Sequence, residues 1–98
     1  MSAYVISEVE FFDRERVEIY RKLASESIAA YGGRYLVRGG ASELIEGSPA
    51  PKTLVIVEFQ SMARAKEWYA SPAYAKALVA REGALDRRLV FVEGVTQS

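Results

Sequence analysis

The stretch Tyr31–Gly40, YGGRYLVRGG, decides what kind of protein this is. A dinucleotide-binding loop needs glycines spaced G-x-G-x-x-G between a strand and the helix that it opens. Here the order is reversed. Ahead of the glycines, Val17, Tyr20, Ala24, Ile28 and Tyr31 recur at helical spacing. Gly32 and Gly33 therefore end a helix, because glycine enters the left-handed region at little cost. RYLVR (34–38) is then a strand, and Gly39-Gly40 end it. A helix, a strand and a sharp exit are turn chemistry, not a phosphate cradle. Arg38 is the odd residue, a cation placed late in an apolar strand.

Working outward, AYVISEVE (3–10) reads as a strand, and Asp13 is a natural N-cap for the helix that starts at Arg14. ASELIEGSPAP (41–51) is a loop or an irregular hairpin arm, since Pro49 and Pro51 resist regular pairing. TLVIVEF (53–59), rich in branched residues, is the clearest strand. Ser61 caps a short helix through Tyr69. Ser71-Pro72 restarts another, with serine as cap and proline at the first helical position, ending near Gly83. RLVFVEG (88–94) is the last strand. The order β-α-β-β-α-β, with the second helix broken in two, predicts an α+β, ferredoxin-like domain spanning 1–98. Its four strands form an antiparallel sheet with the helices on one face.

Strand parity then sorts the side chains. Val5, Ser7, Val9, Tyr35, Val37, Val55, Val57, Phe59, Leu89 and Phe91 carry no charge and are assigned to the helix-facing side. The opposite set is Tyr4, Ile6, Glu8, Arg34, Leu36, Arg38, Leu54, Ile56, Glu58, Arg88, Val90 and Val92. It is apolar in the middle and charged toward the strand ends. An exposed patch of that kind marks an interface. A second copy packed sheet to sheet would cover it, giving a dimeric α+β barrel with room for a charge-lined cavity. In strand order 4-1-3-2, Arg34 falls opposite Glu58 and Glu8 opposite Arg88, cross-strand pairs worth a few tenths to about 1 kcal/mol each. Arg38 lands opposite Leu54 without a partner.

Composition excludes several functions. Lys+Arg and Asp+Glu are 13 each, so the chain lacks the basic footprint of a nucleic-acid binder. No basic run suggests a membrane surface, no apolar run is long enough to span one, and the N-terminus lacks signal-peptide character. A cytoplasmic protein is the expectation. There is no cysteine, so no thiolate nucleophile, and no histidine, so no His-ligated haem and no imidazole base. No cluster suggests a carboxylate-only metal site, and no cofactor is expected.

AYVI near the start, AAYGGRYLVRGG, LVIVEFQSMARAKEWYASPAY and the closing LVFVEG together resemble the family called domain of unknown function 1330, over nearly the whole chain. The resemblance implies a homodimeric α+β barrel and supplies no reaction. Wider structural relatives include cofactor-free quinol monooxygenases, muconolactone isomerases, haem-degrading enzymes and stress-response proteins, so fold alone does not choose the chemistry.

The candidate site residues follow. Arg38 is an anion or carbonyl anchor, and Glu58 and Glu8 are candidate general bases, because a carboxylate in a partly dry cavity titrates nearer neutrality. Tyr4, Arg34, Trp68, Tyr69 and Tyr74 are candidate ligand contacts, the last three around the break in EWYASPAY. Each has a plain structural alternative: ion pairing for the charges, core packing for the aromatics. Ser71 is a cap rather than a nucleophile, with no histidine to activate it. The expected function is a small-molecule pocket on the inner sheet face, serving a metal-free isomerase or a cofactor-free oxygenase. The alternative is a non-catalytic dimeric ligand-binding or stress-associated protein.

Overall fold

The structure is a computed structural model, and residues 1–95 are described. The elements are β1 (Ala3–Phe11), α1 (Arg14–Ala30), β2 (Arg34–Arg38), β3 (Thr53–Phe59), α2 (Met62–Tyr69), α3 (Pro72–Ala80) and β4 (Leu85–Glu93). The strands form one antiparallel sheet in the order β2-β3-β1-β4. This is the ferredoxin-like α+β arrangement expected from the sequence.

The helix ends are fixed by the expected residues. The Asp13 carboxylate accepts from the Arg16 amide at 3.2 Å, the Ser61 hydroxyl from the Arg64 amide at 3.0 Å, and the Ser71 hydroxyl from the Tyr74 amide at 3.1 Å. Gly32 leaves α1 at φ +76°. The last turn of α1 carries no basic residue of its own. Arg64 of α2 supplies one, donating from Nε to the Tyr31 carbonyl at 3.1 Å, a favourable contact for the negative end of a helix. Gly33 is required for space: a Cβ there would stand 2.7 Å from the Phe59 ring and 2.8 Å from Ile28.

The main core lies between sheet and helices around Val5, Val57, Phe59, Trp68 and Tyr74. Trp68 and Tyr74 rings lie 4.2 Å apart, and Phe59 and Trp68 5.3 Å. The buried indole N–H donates to Ser27 Oγ at 3.0 Å, and Ser27 donates to the Ala24 carbonyl at 2.8 Å. The indole N–H and the Ser27 hydroxyl are thereby both partnered.

Two features depart from the sequence reading, and both reshape the site. First, β4 begins at Leu85 rather than Arg88. Its ladder with β1 runs on through Val9↔Arg87 to Phe11↔Leu85. The buried Leu85 gives the extension an apolar anchor. Second, β2 contains a bulge. Arg34 pairs with Glu58 and Tyr35 with Val57, but the next pairs are Val37↔Ile56 and Arg38↔Val55. Leu36 is the extra residue, and one extra residue inverts the facing of everything after it. Val37, expected toward the helices, faces outward beside Ile56. Arg38, expected on the outer face opposite Leu54, faces the helices beside Val55.

The outer face is apolar at its centre, as expected. Val37, Ile56, Ile6 and Val90 form one row across all four strands. Leu36, Val90 and Val92 each expose between 38% and 46% of their surface.

Candidate functional site: a cavity between α1 and the sheet

The break in the second helix decides where space remains. The short α2 lies against β1, β3 and β4, whereas α1 packs along α3 and stands off the strands. Between α1 and the sheet is a cavity of about 410 Å³. Its floor is the helix-facing row of the strands, with Val5, Ser7, Val9, Val55 and Leu89, and its roof is Tyr20, Ala24 and Ile28 of α1. Trp68 closes the inner end. The size falls in the lower part of the range for small-ligand pockets, roughly 300–1,000 Å³, and the mostly apolar lining with a few polar groups is the usual make-up.

The polar groups sit on opposite sides. On the β2 side, Arg38 donates from Nη2 to Ser25 Oγ at 2.8 Å, and its guanidinium lies 4.4 Å from the Tyr35 ring centre. The Tyr35 hydroxyl shares Ser25 at 3.2 Å, so the arginine is held by both α1 and its own strand. On the β4 side, Arg87 donates from Nη1 to the Tyr20 hydroxyl at 2.6 Å and from Nη2 to the Tyr74 hydroxyl. The two hydroxyls are 2.8 Å apart. Tyr74 is fully buried, and that burial, followed by the neighbouring Tyr20, pushes its phenol well above the usual range. It is a neutral hydroxyl at any ordinary pH. Ser7, in the middle of the floor, donates to the Val55 carbonyl at 3.4 Å.

The bulge thus brings Arg38 into the cavity. Trp68 also lines it. Tyr74 stands behind Tyr20 and Arg87, and Tyr69, 39% exposed, packs edge-on over Phe91 at 6.1 Å. The other candidates gather on the far side of the sheet. Glu58 accepts from Arg34 Nε at 2.6 Å. That hydrogen bond, with help from Ser2 and Tyr4, holds the Glu58 carboxyl below the usual carboxylate range, opposite in direction to the rise expected of a general base. Tyr4 lies directly across from Glu58. Glu8 is opposite Arg88, as the register expected, but among the described residues no ion pair joins them. Glu8, Glu58, Tyr4 and Arg34 therefore form an outer-face group separated from the cavity by the sheet.

Two of the polar groups in the cavity were missed. Arg87 stands one residue before Arg88, where the run RLVFVEG places the start of the last strand. The alternation Leu85, Arg87, Leu89, Phe91 was its signal. Tyr20 was read only as part of the apolar helix face. The cavity suits a metal cation poorly, since a single carboxylate, Glu18, lines it beside four cationic side chains.

The arrangement defines a ferredoxin-like α+β protein with a pocket between helix and sheet. By family, the chain belongs to the domain of unknown function family DUF1330, which matches residues 2–95. None of the curated protein sequences matches it significantly. Solved structures share the fold. A protein of unknown function from Rhodopseudomonas palustris is 22% identical, with a TM-score of 0.76, over 98% of this chain and 84% of that one. A dimeric ferredoxin-like protein of unknown function from Thermobifida fusca is 17% identical, with a TM-score of 0.62, over 93% and 89%. SnoaB, a cofactor-independent oxygenase from Streptomyces nogalater, is 8% identical, with a TM-score of 0.59, over 98% and 95%. Among the described residues no helix is long and apolar enough to cross a membrane.

Proposed function

We propose that this protein is a homodimer that binds a small, largely apolar molecule in the cavity between α1 and the sheet. The cavity carries the reading: about 410 Å³ of space, apolar above and below, with arginines held at opposite sides. Core packing normally leaves few voids larger than a water molecule, so space of this size beneath an otherwise well-packed helical layer is a feature to be explained by an occupant. The dimer rests on the outer apolar row of Val37, Ile56, Ile6 and Val90, and agrees with the dimeric Thermobifida fusca neighbour.

The test uses the single tryptophan, which lines the cavity. A panel of small aliphatic and aromatic compounds is titrated against Trp68 emission and against thermal unfolding. A ligand at a hundred times its Kd stabilises the fold by about 2.7 kcal/mol. Val55→Phe, which fills the floor, is expected to abolish both responses while the protein stays folded. Binding that survives Val55→Phe places the ligand elsewhere.

A catalytic use of the same cavity is the second reading, favoured by the Tyr20–Arg87–Tyr74 cluster. The Arg87 guanidinium and the Tyr20 hydroxyl can hydrogen-bond the enolate oxygen formed when a carbonyl ligand loses its adjacent proton, and Glu18, the carboxylate of the lining, is the group that would accept that proton. Loss of a proton beside a carbonyl is a first step common to metal-free isomerisation and to cofactor-free oxygenation, the activity for which the Streptomyces nogalater neighbour is described. Exchange of ligand C–H for solvent deuterium, followed by NMR and lost in Tyr20→Phe, tests it. Binding without exchange leaves the non-catalytic reading standing.

A further inference from the structure

We infer that the cavity ligand is an anion, a small apolar carboxylate whose charged end is met by Arg87, with Arg38 adding positive field from the opposite side; this rests on the reading of the cavity as a binding site. The chain as a whole is electrically balanced, but the cavity is not. Four cationic side chains line it, Arg21, Lys22, Arg38 and Arg87, against one carboxylate, Glu18. That carboxylate is already engaged, 3.2 Å from Arg21. Among the described residues, neither Arg38 nor Arg87 is ion-paired with a carboxylate. Arg38 is held by a serine hydroxyl and a tyrosine face, and Arg87 by two phenol hydroxyls.

Arg87 makes the stronger case. Its Nε is buried and has no hydrogen-bond partner among the described residues. Arg87 is partly buried, and a cation withdrawn from water without a counter-charge is costly in proportion; its buried Nε donor left unmade adds to the cost. Its hydroxyl partners are neutral dipoles and do not cancel a full charge. Ordinary packing would favour a leucine or a methionine between Leu85 and Leu89. The guanidinium earns its place if an anion completes it. Arginine presents its N–H groups in a planar fork suited to a carboxylate. The middle of the lining, Val5, Val9, Val55 and Leu89 below and Ala24 and Ile28 above, is apolar, and the space is small, about 410 Å³. The ligand body is accordingly a short aliphatic chain or a single ring. A phosphate ester or a sugar acid would lay polar surface against this apolar middle, where Ser7 is the one polar side chain of the floor between Val5 and Val9.

The experiment measures Trp68 emission and calorimetric heat with matched pairs: hexanoate, octanoate, decanoate and 4-phenylbutyrate, each against its primary amide. The expected result is a preference for the acid of about ten- to a hundredfold, the range for hydrogen bonds to charged groups. The preference is expected to collapse in Arg87→Gln and to survive in Arg87→Lys, which keeps the charge. Arg38→Gln is the second arm: its side chain is exposed, the fold tolerates its loss, and the preference is expected to narrow. Equal binding of acids and amides, with the cavity-filling Val55→Phe abolishing both, overturns the anion and leaves the pocket. A preference unchanged in both the Arg87→Gln and Arg38→Gln variants also overturns it. No binding by either series removes the pocket reading itself, and the anion with it.

Discussion

Tyr74→Phe is the most informative single change, because it removes one oxygen and leaves the volume. In the folded protein that oxygen accepts from Arg87 and bonds to the Tyr20 hydroxyl. Tyr74 is 0% exposed, so water cannot replace it without disturbing the Trp68 contact at 4.2 Å. Arg87 already has a buried Nε–H without a partner, and the variant also takes away the acceptor of its Nη2. The cost of a buried donor left unmade is about 1–3 kcal/mol. For a domain of this size that lowers Tm by at least about 4 °C. The same change has an alkaline signature. The Tyr74 phenol is pushed well above its usual value near 10. Folded protein therefore keeps a proton that unfolded chain loses, and the stability from this group is complete below about pH 10. Above that it falls by about 1.4 kcal/mol per pH unit until the folded phenol itself ionises. Urea unfolding at fixed protein concentration, repeated from neutral to alkaline pH, reads both effects. Tyr74→Phe is expected to be less stable at pH 7 and to show a shallower alkaline decline. Tyr69→Phe, half-exposed and with no such hydroxyl contact, is the control. A Tyr74→Phe variant matching wild type at pH 7 and in alkaline slope would refute the buried-cluster account.

The outer face predicts that Ile6→Glu, in the middle of the row between Ile56 and Val90, halves the mass seen by light scattering; a wild type that is itself monomeric would sink the dimer. Gly33→Ala is expected to destabilise by about 1–3 kcal/mol through overpacking against Phe59. Gly40→Ala, with open space around it, should change little, and thermal unfolding compares them. Glu58 titrates below the usual carboxylate range because Arg34 donates to it. Its stabilising contribution is present above the unfolded value and lost as pH falls through the folded one. Arg34→Met is expected to raise the Glu58 pKa, read by carboxyl-carbon NMR.

The fold was open to reading because its signals are local. Asp13, Ser61 and Ser71 cap helices wherever the chain goes, and Gly32 ends α1 by its own backbone freedom. The apolar outer face was also legible, since strand parity is a property of the chain's own geometry. Arg38 shows where this fails. Parity carries forward only while no residue is added, and nothing in RYLVR marks Leu36 as the extra one. The bulge is a matter between two strands separated by a long loop. Glu8 and Glu58 illustrate a related limit: their residue types fit proton transfer, but the sheet places them on the side away from the cavity.

What the chain determined by itself was the succession of strands and helices, their caps, and one apolar face too many, because each follows from a residue and its near neighbours. What only tertiary structure decided was the site. Tyr20 on α1, Arg87 on β4 and Tyr74 on α3 are far apart in sequence, and no periodicity links them. They meet because α1 runs along α3 over the β4 side of the sheet. Arg38 joins them across the cavity because one residue of slippage between β2 and β3 turned it through the sheet.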